Sequence, residues 1–278
     1  MSKFLDLDIL NCFGIWTLIF VIMNNNIVIL AGNYESTNVV YHALKNDFNI
    51  VKVIREEKVP RLELIKKRLK KLGFWRVIGQ VKFMVLAVPL LEYFSRERSA
   101  EIKNKFGLDD RPTDENKLLK VKSVNADEVI AELKRIDPAV VVINGTRIIT
   151  ERVLNSCQAK FINMHAGITP AYRGSHGAYW ALVHRDPAKA GVTVHLVDKG
   201  IDTGAIIAQA KIAPESADNF MTYPWLQTAA GLPLLKRAIR EALNGELQLK
   251  PASAGPSALW SHPTIWEYLR HRVKDGVK

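Results

Sequence analysis

Short, wholly apolar runs alternate with stretches of helical period along this chain. Residues 26–32 (NIVILAG) form an apolar run that ends in glycine, which predicts a buried strand feeding a turn. Residues 36–44 then read as a helix and 49–54 as a second strand, so the chain opens strand–turn–helix–strand. Residues 118–124 predict a third strand and 127–135 a helix. Asp137-Pro138 breaks the pattern before the apolar run 139–145 (AVVVING), which ends in another glycine turn. A short helix over 150–155, strands over 160–164 and 191–198, a further strand over 204–212 and an amphipathic helix over 226–243 complete the series. Strands alternating with helices predict an α/β fold with a doubly wound, mostly parallel Rossmann-like sheet. In such sheets ligands bind outside the carboxyl ends of the strands, the edge to which Gly32, Gly145, His165 and Asp202 belong in this reading.

Two segments depart from that rhythm. In residues 60–106, Leu62, Ile65, Leu69 and Leu72 recur at helical spacing with Lys66, Lys67, Arg68, Lys70 and Lys71 between them, and residues 81–94 are nearly continuous apolar sequence. The expectation is a helical insertion, a pair of helices packed on the domain with the basic face outward. Lys82 and Glu92 inside the apolar run argue against a bilayer span. Peripheral contact with an anionic membrane, or a homodimer contact through residues 77–94, are the functional alternatives. At the amino terminus, residues 9–23 are mostly apolar but fall short of the ~20 residues that span a bilayer comfortably. Asp6 and Asp8 flank the run where a signal peptide would be basic. Residues 1–22 are therefore expected to be an extension, with a hydrophobic anchor as the alternative. Residues 23–245 are expected to form the catalytic domain and 246–278, rich in Pro, Ser, Ala and Gly at its start, a meandering tail with one last helix over 265–272.

Composition narrows the classes. With 48% hydrophobic and 24% charged residues among 278, the chain carries enough apolar material for a globular core. Its two cysteines, Cys12 and Cys157, exclude a disulfide framework or a zinc-finger spacing and fit a cytoplasmic setting. The net charge of +11 favours acidic partners.

The candidate chemistry lies between residues 163 and 204. Asn163 and His165 are two apart in a predicted strand and so share a face. An amide N–H aimed at a carbonyl oxygen stabilises the oxyanion of a tetrahedral intermediate by about 2.7–4 kcal/mol. A histidine of ordinary basicity accepts a proton from an attacking amine near neutral pH. Asp202, in Asp202-Thr203-Gly204, can orient that imidazole and favour its charged form. The set suits acyl transfer to an amine without a covalent enzyme intermediate, since no Ser or Cys adjoins His165. Taken alone, Asn-x-His is more commonly the pattern of a buried, hydrogen-bonded histidine than of a catalytic one, and Asp-Thr-Gly is that of a turn.

The runs INMHAGITPAYRG and GVTVHLVDKGIDTGAII resemble the catalytic core of the 10-formyltetrahydrofolate-dependent formyltransferases. That group includes glycinamide ribonucleotide, methionyl-tRNA and sugar-nucleotide formyltransferases. The resemblance is good over 139–212 and loose over 26–54. It implies that Asn163 holds the formyl oxygen, His165 acts as base and electrostatic stabiliser, and Asp202 assists proton relay to the departing folate nitrogen. It implies 10-formyltetrahydrofolate as formyl donor, lying against Ile143, Gly145, Arg147 and Ile148 in one turn and Val197, Asp198, Gly200 and Ile201 in another. Acceptor contacts are expected from Gly32 and Asn33, in a turn before a helix where backbone N–H groups can hold an anion, and from Tyr172 and Arg173. Where the family often has Ser-Leu-Leu-Pro, this chain has Gly167-Ile168-Thr169-Pro170. His195 is expected to support the site from within, and Tyr179 and Trp180 to pack as a helix face.

The expected acceptor is a small-molecule primary amine, with an amino sugar nucleotide foremost and no nucleic acid. The residues after 245 are too few for the extra domain expected of the tRNA enzyme, and no regulatory domain that would mark a formyltetrahydrofolate hydrolase precedes the first strand. Metal-dependent hydrolysis or deacylation is the second class, because His165, His176, His184, His195 and Asp202 crowd one region. No His-Glu-x-x-His pattern is present and no metal is expected. A non-catalytic binding protein, working through residues 60–106, is the third.

Overall fold

The computed structural model of this chain describes residues 24–250 and 255–278. The apolar run in the first 23 residues, and the choice between extension and anchor, lie outside the described residues. Among the described residues nine strands are present: β1 (Ile27–Gly32), β2 (Ile50–Glu56), β3 (Leu118–Val121), β4 (Val140–Asn144), β5 (Lys160–His165), β6 (Arg173–Gly174), β7 (Gly191–Leu196), β8 (Ile206–Lys211) and β9 (Leu259–Trp260). Seven of them form one sheet in the order β3-β2-β1-β4-β5-β7-β8. The first five pair in parallel, and β7 and β8 add to β5 antiparallel. This is the mostly parallel, Rossmann-like sheet the pattern predicted.

Helices cover both faces, which is why the central strands are continuously apolar rather than alternating. On one face Ile27, Ile29, Val140, Val142 and Ile162 pack with α1 (Glu35–Lys45) and a long helix, α7 (Tyr223–Leu243). On the other, Val28, Leu30, Val141, Ile143 and Phe161 pack with α4 (Asp127–Ile136) and the short α5 (Glu151–Leu154). Successive residues of each strand serve opposite cores. α7 runs through Pro233 without ending.

The insertion consists of α2 (Arg61–Leu72), a corner at Gly73 with φ of +80°, and α3 (Phe74–Phe106), a 33-residue helix with a π-helical turn at Phe83–Ala87. Only one side of α3 packs on the domain: Val77, Gln80, Phe83, Ser95 and Ile102 are buried. Its outward side differs from the expected basic face, because Phe74, Trp75, Val85, Leu86, Leu90, Tyr93 and Phe94 are exposed there.

The tail is less of a meander than its composition suggested. Lys250 bridges to Ile206 on β8, and β9 pairs in parallel with β6. A capping box of Thr264 and Glu267 then starts α8 (Ile265–Lys274). Trp260 and Tyr268 join Tyr172, Tyr179, Trp180, Phe83 and Phe220 in a third, aromatic core around α6 (Gly177–Val183). Tyr179 and Trp180 lie on the buried side of α6. Through β9 and this cluster, the tail holds the chain segment that follows β5.

Candidate active site

β5 carries Phe161 into the core on the α4 side, and Asn163 and His165 follow it on the same face, toward the strand's carboxyl end. The neighbouring β7 runs antiparallel, with His195 directly across from Asn163 and Thr193 across from His165. Opposed residues of an antiparallel pair share a face, so the register brings a second imidazole to the site. The loop after β7 turns back on itself: the Asp198 carboxylate accepts from the Gly200 N–H (3.0 Å) and the Thr203 hydroxyl (2.7 Å). Asp202 sits in this turn with φ of +53°, a left-handed conformation that Asp tolerates better than most residues.

These elements converge on the Asp202 carboxylate. Its Oδ2 lies 3.3 Å from His165 Nδ1 and accepts from the Gly174 N–H at 2.9 Å. Its Oδ1 lies 3.6 Å from His195 Nε2 and accepts from the Asn163 amide at 3.4 Å. The Asn163 amide also meets His195 Nε2 at 3.1 Å.

The remaining ring contacts fix the protons. His165 Nε2 is 2.8 Å from the Tyr172 carbonyl oxygen, so this nitrogen carries a hydrogen. A second proton on the ring would then sit on Nδ1, facing Asp202. His195 Nδ1 is 2.7 Å from the Leu196 carbonyl oxygen and donates there, which leaves Nε2 to accept from Asn163. Burial is the largest influence on His165 and holds its imidazole below the ordinary value, against the opposing pull of Asp202 and the Tyr172 carbonyl. Burial pushes the Asp202 carboxyl up, but the neighbouring His195 and His165 imidazoles and the Gly174 N–H together keep it below the usual carboxylate range. The result is an ionised carboxylate next to an imidazole with an empty proton position: a base whose charged form has a partner already in place.

A cleft of about 390 Å³ opens beside this cluster. Asn163, His165 and Asp202 line it, as do Ile143, Gly145, Arg147, Ile148, Val197, Asp198, Gly200 and Ile201, with Pro224, Gln227 and Thr228 from the start of α7 opposite. The Arg147 guanidinium is engaged beneath the turn: it pairs with the buried Glu56 carboxylate, which also accepts the Arg147 N–H at 2.7 Å, and it reaches the Glu57 and Lys122 carbonyls. Arg147 therefore braces the turn against β2 and β3.

Four other residues singled out in the sequence lie outside that lining. Gly32 packs under Gly145 and the Tyr34 ring, and Asn33 follows it at the mouth of α1. The Tyr172 side chain is buried between Trp260 and His184, at ring distances of 6.1 and 6.0 Å. Only its backbone carbonyl serves the site. Arg173 donates to the Ile201 carbonyl at 3.0 Å and so ties the Asp202 loop to β6. His176 stacks on Phe220 (4.1 Å) and His184 tilts against Trp260 (4.6 Å), within the aromatic core. Among the described residues, no three His, Cys, Asp or Glu side chains are grouped to hold a metal ion.

Backbone groups are what the sequence could not show: the Tyr172 carbonyl and Gly174 N–H have no side-chain signature. Gly167 and Thr193 did leave one. The Thr193 hydroxyl donates to the Gly167 carbonyl (2.7 Å) and accepts from the Thr169 N–H (3.1 Å), fastening the loop after His165 to β7. A Cβ on Gly167 would collide with the Tyr172 carbonyl and the His165 ring. Gly167 is thus matched to a close approach.

Residues 92–222 match the model of the formyl transferase family. A methionyl-tRNA formyltransferase from Caldanaerobacter subterraneus subsp. tengcongensis is 32% identical over 133 residues, which cover 47% of this chain and 43% of that protein. The chain thus matches less than half the length of that relative. The fold is shared with glycinamide ribonucleotide transformylase 1 from Symbiobacterium toebii (TM-score 0.53, 16% identity, covering 83% of this chain and 95% of that one). It is shared too with the N-formyltransferase from Helicobacter canadensis, solved in complex with folinic acid and dTDP-3-aminofucose (TM-score 0.51, 21% identity, 84% and 70%). Over residues 92–222, which carry the Asn-x-His strand and the Asp-Thr-Gly loop, the chain is similar to the formyl transferases.

Proposed function

We propose that this protein transfers a formyl group from 10-formyltetrahydrofolate to a primary amine of a small acceptor. The observation that carries the reading is the convergence of Asn163, His165 and His195 on one carboxylate at the wall of a cleft. The folate would lie against the 143–149 and 197–201 turns, whose residues line that cleft.

The chemistry follows from the contacts. The acceptor amine attacks the formyl carbon, and the carbonyl oxygen takes up negative charge. The Asn163 N–H that reaches Asp202 at 3.4 Å is the weaker of its two bonds and the one free to turn to that oxygen. The amine loses a proton to His165 Nδ1, and Asp202 stabilises the imidazolium so formed. The tetrahedral intermediate collapses with cleavage of the bond between the formyl carbon and the folate nitrogen. That nitrogen receives the proton held between His165 and Asp202, and no covalent enzyme intermediate is needed.

An amino sugar nucleotide is the acceptor we favour; the Helicobacter canadensis enzyme of the same fold was solved with one. The methionyl-tRNA formyltransferases among the relatives support a second reading, an aminoacyl group carried on tRNA. A crystal structure with folinic acid and a candidate acceptor tests the site. The pterin should rest on residues 143–149 and 197–201, with the formyl group at Asn163. A folate bound elsewhere, or none bound at all, refutes the proposal.

A further inference from the structure

We propose that the outward face of the helical insertion docks on the surface of an anionic lipid bilayer. Along α3 the exposed apolar side chains recur at helical spacing: Phe74, Val81 and Val85, then Leu86, Leu90 and Phe94, with Val85 and Leu86 inside the π turn. Trp75, 75% exposed, and Tyr93, 61% exposed, stand beside them. The patch continues onto α8, where Trp266 packs over Gly79 of α3, and Leu269 and Val273 extend the stripe at 52% and 86% exposure. Apolar area of this extent rimmed by charge marks an interaction surface.

The charge of the rim selects the occupant. Residues 64–91 contain seven Lys and Arg and no Asp or Glu. Five of these, Lys66, Lys67, Arg68, Lys70 and Lys71, lie on α2, an amphipathic helix with no fully buried residue among those described. Arg76 and Lys82 continue the charge along α3. Lipid headgroups of negative charge neutralise such a rim while the acyl boundary takes up Phe, Val and Leu. A second copy of this chain in a two-fold contact would bring the lysine-rich helices toward each other. Nucleic acid would meet the lysines but leave Val81, Val85, Leu86 and Leu90 uncovered. Trp and Tyr at the edge of the patch suit the headgroup level.

The helix lies on the membrane rather than crossing it. α3 is long and apolar enough to span by composition. Its inner side, however, is fixed to the domain by Gln80, which donates to the Ser261 hydroxyl and the His262 carbonyl, and by Ser95 and Arg98, which bond Asn219 and Asp218. A span would break all of these.

Flotation of the full chain with vesicles tests this. Binding is expected to vesicles of equal parts phosphatidylglycerol and phosphatidylcholine at about 0.1 M salt, and to weaken sharply at about 1 M. It should be far weaker with phosphatidylcholine alone. Each lysine at an anionic surface changes partitioning about fivefold, so Lys66→Gln, Lys67→Gln and Lys70→Gln combined should weaken binding on the order of a hundredfold. Val85→Asp with Phe94→Asp should abolish it, with melting temperature unchanged because both side chains face solvent. No binding by the parent chain overturns the proposal. So does undiminished binding by both variants, which would place attachment elsewhere in the chain. A concentration-dependent dimer that Val85→Asp dissociates, without vesicle binding, would assign the face to a second copy instead.

Discussion

Replacing Gly167 with alanine perturbs the catalytic imidazole while leaving its chemistry intact. A Cβ at this position would stand 2.2 Å from the Tyr172 carbonyl oxygen and 2.6 Å from His165 Nε2, the two atoms whose hydrogen bond orients the ring. Carbon in ordinary contact sits at about 3.5 Å, so one wall of the site must retreat by roughly 1 Å. The loop has little room to give. Thr193 holds the Gly167 carbonyl, and Gly177 packs against the Gly167 Cα so tightly that its own Cβ would lie 2.6 Å away. Overpacking of this kind costs about 1–3 kcal/mol, which for a domain of this size lowers the melting temperature by roughly 2–12 °C. A displacement of about 1 Å at a reacting group costs on the order of a hundredfold in rate. Differential scanning fluorimetry and initial rates at saturating formyl donor read the two effects separately. A Gly167→Ala protein that melts with the parent and turns over at its rate would show that the ring is not set by this contact.

Three further outcomes follow from the geometry. Asp202→Asn keeps the shape of the carboxylate but removes the partner of the imidazolium; turnover should fall by about 10²–10⁴-fold, with folate binding retained in a calorimetric titration. Burial lowers the His262 imidazole to about 4, below its unfolded value of 6.5. The folded state then binds fewer protons than the unfolded one, so stability is fully present above about pH 6.5 and falls with acidification, by about 3 kcal/mol at pH 4. Urea unfolding across that window should show the loss, and His262→Asn should flatten it. Finally, Arg98 pairs with Asp218, whose side chain is 1% exposed; Arg98→Ala leaves that carboxylate buried and unpaired and should destabilise the protein by about 3–5 kcal/mol in denaturant titrations.

The central sheet was legible because buried parallel strands are written as unbroken apolar runs, and β1, β2, β4 and β5 begin and end within two residues of their expected bounds. Asn163 and His165 could be placed on one face from their spacing alone. The partner strand was readable as a strand, yet its antiparallel register was not. Nothing local in GVTVHL says that His195 will stand across from Asn163. The supporting role of Tyr172 and Gly174 is carried by backbone atoms, to which side-chain identity gives no clue. The Arg147 side chain pairs with Glu56 and Arg173 bonds the Ile201 carbonyl, partners distant in sequence that no local pattern announces. The outward face of α3 went the other way from expectation for a similar reason. Helical period shows that a stripe exists, and only the packed structure shows which side the domain covers.

The most direct measurement of the central claim is product formation from 10-formyltetrahydrofolate and a panel of amines that includes amino sugar nucleotides and methionyl-tRNA, followed by mass spectrometry. The account predicts a formylated amine with the parent chain, and rates lower by about 10²–10⁴-fold for His165→Ala and about 10²–10³-fold for Asn163→Ala. Parent-level turnover by either variant on the accepted amine would contradict it.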